Sequence, residues 1–374
     1  MTTVDHAHLA EFTFEIFKAA GHFEDDSQLA SDVLLWASLR GVDTHGIRNL
    51  KRYYIDSAAG VGRRDGVIIP DAKLETDSES PTHAVLNANG GLGLSVSVKA
   101  MDVAIEKASE SGMGIVTVRN STHFGAAGYY AHMATRHEML GFASTGYFFP
   151  HGQDKGVVPF GGLLPMLSTN PLAMACPGGE LPDFVLDMST SLVPVNRVEM
   201  LEEDGKPIPP GWIRDKDHNV TDDPQKVCKV EPLGGAVDYG GHKGFGLCVA
   251  GWILTGLLSG AWRKEPKQDR ILGVQETKHG FAQEGIGHCF AAVRLDQFGD
   301  PSLIRSGLDA MTRSFNECPP ADGFDQVYIP GQKEVAVEAD RRANGIPLSG
   351  STVTDLKSLS EEFGVPLELN EEEQ

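Results

Sequence analysis

Strand-like and helix-like apolar periods alternate along residues 84–136, and this alternation limits the folds open to the chain more than any other feature. Ala84, Val85 and Leu86 form a short strand-like run, residues 94–110 carry helical spacing, residues 114–118 are strand-like, and residues 126–136 are helical again. Strands separated by helices pack as one sheet under a helical cover, which predicts an α/β fold. Further apolar runs at 141–145, 172–175, 184–186 and 289–293 extend the expected sheet.

The two ends of the chain read differently. Residues 4–59 are helical, with Leu9, Phe12, Phe14, Ile16 and Phe17 and then Leu29, Val33, Leu34 and Trp36 at helical spacing, and residues 303–316 are helical as well. Residues 60–81 suit a connector. Residues 202–235 are polar, Pro-rich and weakly periodic, and predict a surface wrap or mobile flap. The chain closes on an acidic tail that includes Glu371, Glu372 and Glu373.

A length of 374 residues suggests two or three domains, or one core with a large insertion. Fifty-two acidic against 32 basic residues give a net charge of -20, which opposes nucleic acid and anionic membrane surfaces as partners. Cys176, Cys228, Cys248, Cys289 and Cys318 are widely spaced and lack a Cys-x-x-Cys pair, so free thiols and no metal site are expected. Acidic Asp5, Glu11 and Glu15 interrupt any apolar leader, and the expected location is cytoplasmic. Residues 244–262 are uncharged over nearly the length of a membrane span; Gly246, Gly251, Gly256 and Gly260 favour a buried helix instead.

Three segments carry chemistry. Residues 40–48 (Arg-Gly-Val-Asp-Thr-His-Gly-Ile-Arg) place His45, able to move a proton near neutral pH, three residues from Arg48, whose planar fork fits a carboxylate. One helix face is expected to present both. The second segment runs from the 116–118 strand through Asn120, Ser121, Thr122, His123, Phe124 and Gly125, a strand exit into a helix start. A parallel exit at 184–190 delivers Asp187, Met188 and Ser189 to the same end of the sheet. In the third, Gly240, Gly241, His242, Lys243 and Gly244 combine close-approach glycines, a helix start and a cation, which suits a phosphate. No Walker loop or complete G-x-G-x-x-G follows a strand, since Gly91-Leu92-Gly93 lacks the third glycine.

These motifs, with Thr169-Asn170-Pro171-Leu172-Ala173, Gly287-His288-Cys289-Phe290, Pro330-Gly331-Gln332-Lys333-Glu334 and Asn344-Gly345-Ile346, resemble the type-2 malate/L-lactate dehydrogenase family in order and spacing over most of the chain. The resemblance implies a three-layer α/β/α nicotinamide-binding core that is not a Rossmann fold. It also implies a helical domain from both chain ends, giving units at 1–80, 81–295 with an insertion near 202–235, and 296–374. It implies a homodimer that uses NAD or NADP to reduce small 2-oxo acids or cyclic 2-imino acids, or to run the reverse oxidation.

Carried over by position, His45 is the proton donor, with Thr44 and Asp187 as its polar support and Arg48 on the substrate carboxylate. His123 matches a histidine that serves as acid or base in some members. Cofactor contacts are implied from His123, Phe124, Gly125, Thr169, Asn170, Asp187, Met188, Ser189, His242, Lys243, Gly331, Gln332 and Lys333. Trp252 stands where many relatives carry an acidic residue. Thr44 replaces a common serine but keeps the hydroxyl, so its local hydrogen bond is expected to survive. A hydrolase built on Thr44, His45 and Asp187, or a non-catalytic binding protein, are the competing readings.

Overall fold

A computed structural model describes residues 2–58, 68–149, 156–226, 229–235, 237–261, 274–277, 280–283 and 286–370. Residues 59–67 of the expected connector, Cys228 and residues 371–373 of the acidic tail lie outside the described residues. The centre of the fold is a seven-stranded mixed sheet. Its strands lie in the order Glu75–Glu79, His83–Asn87, Met113–Ser121, Ile286–Arg294, Met139–Gly146, Leu172–Cys176 and Phe184–Met188.

His83–Asn87 and Met113–Ser121 pair in parallel, whereas every pairing from Met113–Ser121 onward to Phe184–Met188 is antiparallel. A dinucleotide fold of the Rossmann type needs a parallel sheet, so this topology is a different α/β solution. The register also gathers the ends of Asn87, Ser121, Gly146 and Met188 with the starts of the Ile286 and Leu172 strands. Both chemistry-bearing strand exits, after Ser121 and after Met188, therefore open at one end of the sheet.

Helices cover both faces. On one face Phe290 meets Phe124 and Tyr130, the latter from the Ala127–Met133 helix, beside the Gly93–Ser111 helix. On the other, a Cβ at Gly287 would lie 1.7 Å from the Thr255 carbonyl, in the π-helical Ile253–Leu257 turn that continues the Gly241–Trp252 helix. Glycine is what lets that helix sit directly on the strand. The expected burial of this uncharged stretch holds for one side only: Cys248 and Trp252 are buried, while Leu247, Ile253, Leu257 and Leu258 are exposed. Among the described residues no helix is long and apolar enough to cross a membrane.

The chain ends meet. Thr3 and Val4 pair with Pro347 and Ile346, and the His6–Ala19 helix packs on Glu24–Leu39 and Gly350–Phe363. Residues 213–214, 220–221, 229–230 and 156–157 form a small four-stranded sheet. Together with the Val195–Glu203 helix, this sheet encloses Val193, Val198, Leu201, Ile208, Ile213 and Val230. The described residues of the 202–235 interval thus form a small folded unit; two-residue strands are too short to show an alternating pattern in the sequence. Cys176, Cys248, Cys289 and Cys318 are free thiols.

Candidate functional site

The expected single helix through residues 43–48 is replaced by two 3-10 turns, Asp43–His45 and Ile47–Asn49, followed by a π-helical turn at Leu50–Ile55. Gly46 divides them at φ -93° and ψ -149°. A Cβ there would lie 2.3 Å from Ser38 Oγ, and that hydroxyl accepts from the Ile47 amide at 2.9 Å. The turn closes on the preceding helix, so His45 and Arg48 diverge.

His45 instead meets His123. The two rings stack with centroids 5.8 Å apart and planes 15° from parallel, although 78 residues separate them in sequence. Thr44 Oγ1 lies 2.8 Å from His45 Nδ1, so the hydroxyl carried by threonine keeps the expected bond. His123 Nδ1 is 2.8 Å from Tyr54 Oη and accepts from the Gly125 amide at 3.2 Å. A backbone N–H only donates, so Nδ1 is the bare nitrogen and the neutral ring carries its proton on Nε2. Tyr53 packs on the same imidazole at 4.8 Å.

Both rings are half-buried, and the surrounding protein disfavours their charged forms. Desolvation brings His45 down to about 4. His123 falls to about 3 through desolvation and then through repulsion from His45 and His288. His288 is fully buried, stacks on Phe124 at 4.9 Å and bonds Thr145 Oγ1 through Nδ1 at 2.7 Å. It fixes the floor beneath the His123 loop. Two neutral imidazoles thus stand together at the sheet end.

Arg48 grips a carboxylate, but one from its own chain. Its two terminal nitrogens reach Glu203 Oε2 at 2.5 Å and Oε1 at 2.6 Å, the bidentate fit expected for a substrate. Ser351 Oγ adds a contact at 3.3 Å. The free clamp read from sequence is therefore filled by Glu203. Asp187 does not join the histidines among the described contacts: its Oδ2 accepts from the Gly128 amide at 2.8 Å, at the start of the Ala127–Met133 helix. Asp187 is open to solvent. A Thr44–His45–Asp187 relay is not formed.

Most of the remaining expected positions fall into loops around this end, whereas Gly331, Gln332 and Lys333 lie by the start of the Phe184–Met188 strand. Asn170, fully buried at φ +33°, accepts from Ser168 Oγ and the Tyr147 amide and donates to the Cys248 carbonyl. Its side chain is spent on joining the 168–170 loop to the Gly241–Trp252 helix. Thr169 offers its carbonyl to Thr190, and Ser189 Oγ donates to the Ser191 carbonyl. Met188 ends its strand opposite Leu172. Gly240 takes φ +86° at the helix start, and His242 and Lys243 are exposed there. Gly241 and Gly244 are buried against the backbone of Gly235 and Leu233, and the helix-start amides with the exposed lysine are donors of the kind a nucleotide phosphate uses. Gly331, at φ +101°, abuts Asp183 and Val185, Gln332 Oε1 accepts from the Ile329 amide, and Lys333 lies 4.9 Å over the Tyr328 ring. Trp252 is accommodated because Gly256 leaves its ring space.

Sequence reasoning missed Tyr53, Tyr54, Asn49, Asn196 and Glu203. The Tyr53-Tyr54 pair was the one available signal, lying just over two helical turns beyond His45.

The model of the malate/L-lactate dehydrogenase family matches residues 4–357. A malate dehydrogenase of Pyrococcus horikoshii is 33% identical over 362 residues, covering 96% of this chain and 94% of that protein. A malate/(S)-sulfolactate dehydrogenase of Methanothermus fervidus is 30% identical, covering 94% and 96%. The crystal structure of malate dehydrogenase from Entamoeba histolytica superposes with a TM-score of 0.88 at 32% identity, covering 98% of this chain and 99% of that one.

Proposed function

This chain belongs to the malate/L-lactate dehydrogenase family, and from that premise we propose that its two-histidine cleft serves hydride exchange between C2 of a small 2-hydroxy acid and NAD or NADP. The observation that carries the site assignment is the stack of His45 on His123 at the sheet end where the strands ending at Ser121, Gly146 and Met188 gather.

Bound nicotinamide supplies the acceptor or donor of the hydride. The chain manages the proton. In oxidation, neutral His45 takes the proton of the C2 hydroxyl while the Thr44 hydroxyl steadies Nδ1. His123, with its proton held on Nε2 by the donors at Nδ1, offers a hydrogen bond to the substrate oxygens. In reduction His45 returns the proton. Lys243 and the backbone amides at 240–241 are the groups that would hold a cofactor phosphate, while contacts from Gly331 and Lys333, by the start of the Phe184–Met188 strand, are supported by the family resemblance alone. Arg48 enters as the support of the His45 turn, and a direct grip on substrate would require exchange with Glu203.

The reading extends to a homodimer in the cytoplasm, supported by the family motifs and by free thiols, and to the three-part division at residues 80/81 and 295/296. A panel of (S)-malate, L-lactate and (S)-sulfolactate with each oxidised cofactor, followed through nicotinamide absorbance, tests the activity. Reduction of either cofactor is expected; no reduction with any acid removes the proposal.

A further inference from the structure

We propose that Asn196 is a positioning residue for the two-histidine site, holding the turn that carries His45 and the ring that packs on His123 in one fixed relation. Its consequence for turnover rests on the dehydrogenase reading; its structural test does not.

Asn196 sits in the first turn of the Val195–Glu203 helix and is 5% exposed. Its Nδ2 donates to the Thr44 carbonyl at 2.9 Å, one residue from His45. Its Oδ1 accepts from Tyr53 Oη at 2.8 Å, and the Tyr53 ring lies 4.8 Å from His123. A primary amide alone offers donor and acceptor on one planar head at this reach; an aspartate would lose the donor and an alanine both. Asn49 Nδ2 also donates to the Thr44 carbonyl at 2.9 Å, so that carbonyl is fixed from two sides.

The same helix face carries Glu199, paired with Arg52 at 3.0 Å, and Glu203, paired with Arg48. Three side chains from one helix therefore hold residues 44–53, and only Asn196 reaches the segments touching the imidazoles. The titratable groups facing the rings are the two histidines themselves, Tyr53 and Tyr54 from the following turn, and His288 from the central strand. Around them the pairs Arg48–Glu203, Arg52–Glu199 and Arg341–Asp43 neutralise their own charges. Loosening the Asn196 tie lets the two half-buried rings move apart and gain hydration, which favours their charged forms.

Imidazole titration by carbon NMR of the full chain with labelled histidine, without cofactor, reads this directly; His45→Asn and His123→Asn assign the signals. Both rings of the native protein should titrate well below 6.5. Asn196→Ala should move at least one of them up by about a unit, with turnover falling roughly 10- to 100-fold and cofactor affinity unchanged. Tyr53→Phe removes one of these bonds from the opposite side and should give a smaller shift in the same direction, which serves if Asn196→Ala does not fold. Glu199→Gln, which releases the helix elsewhere, should leave the titrations at native values. Native titrations in both Asn196→Ala and Tyr53→Phe, or an equal shift in Glu199→Gln, overturn the proposal. A shift in Asn196→Ala in a protein that never reduces a nicotinamide cofactor would sink the dehydrogenase reading and leave the positioning role standing.

Discussion

Replacing Glu203 by Gln separates two roles for Arg48. Arg48 is 6% exposed and its pair with Glu203 is bidentate at 2.5 and 2.6 Å, with Ser351 Oγ donating to the same carboxylate at 2.6 Å. Arg48 donors hold the Glu203 carboxyl below the usual range. Removing one partner of a dry pair costs about 3–5 kcal/mol, because the other charge is left unpaired. The Glu203 side chain, however, is 29% exposed, so water recovers part of the loss and about 1.5–3 kcal/mol is expected. Arg48→Lys keeps the charge without the fork and should cost about 1–2 kcal/mol. Urea unfolding of the full chain gives both values, and the Michaelis constant for the hydroxy acid gives the competing one. If both variants kept native stability while substrate KM rose tenfold or more in Arg48→Lys alone, Arg48 would be the substrate clamp and the structural pin refuted.

Lys243→Ala should weaken cofactor binding by about 1.5–3 kcal/mol, the loss of one charge-assisted hydrogen bond, measured by titrating the cofactor onto the protein; an unchanged titration removes the phosphate assignment. Acid should destabilise the fold from pH 6.5 downward. His22 and His288 are buried and neutral, brought by desolvation to about 4 and about 3, so the unfolded chain takes up their protons first. Stability is full above the unfolded value and is lost as pH falls toward the folded one, by about 1.4 kcal/mol per pH unit for each histidine. A urea midpoint that stays constant from pH 6.5 to 5 contradicts this.

What the sequence showed depended on the range of the physics involved. The strands at 84–86, 114–118, 141–145, 172–175, 184–186 and 289–293 were legible because buried strands need contiguous apolar side chains, and each appears in the sheet. That His123 and Asp187 leave the sheet at one end also followed, since their strands run the same way. Contacts between distant segments left no local mark. Gly46 reads as an ordinary helix residue until Ser38 is seen against it, and Glu203 has nothing in its neighbourhood to announce Arg48 as partner. Asp187 reached the expected end of the sheet but bonds the Gly128 amide at a helix start, a partner with no local mark in the sequence around residue 187.

The central claim is that His45 moves the proton while His123 orients the substrate, and turnover of His45→Asn and His123→Asn at saturating cofactor across pH tests it most directly. Oxidation needs neutral His45, and the fold brings that group to about 4, so the native rate should hold through mildly acidic pH and fall only below it. His45→Asn should lose about 10²–10⁴-fold in turnover together with that acid limb, while cofactor still binds. His123→Asn should raise the substrate KM and keep the limb. If His45→Asn retains turnover and its acid limb while His123→Asn loses both, His123 is the proton carrier and the account is wrong.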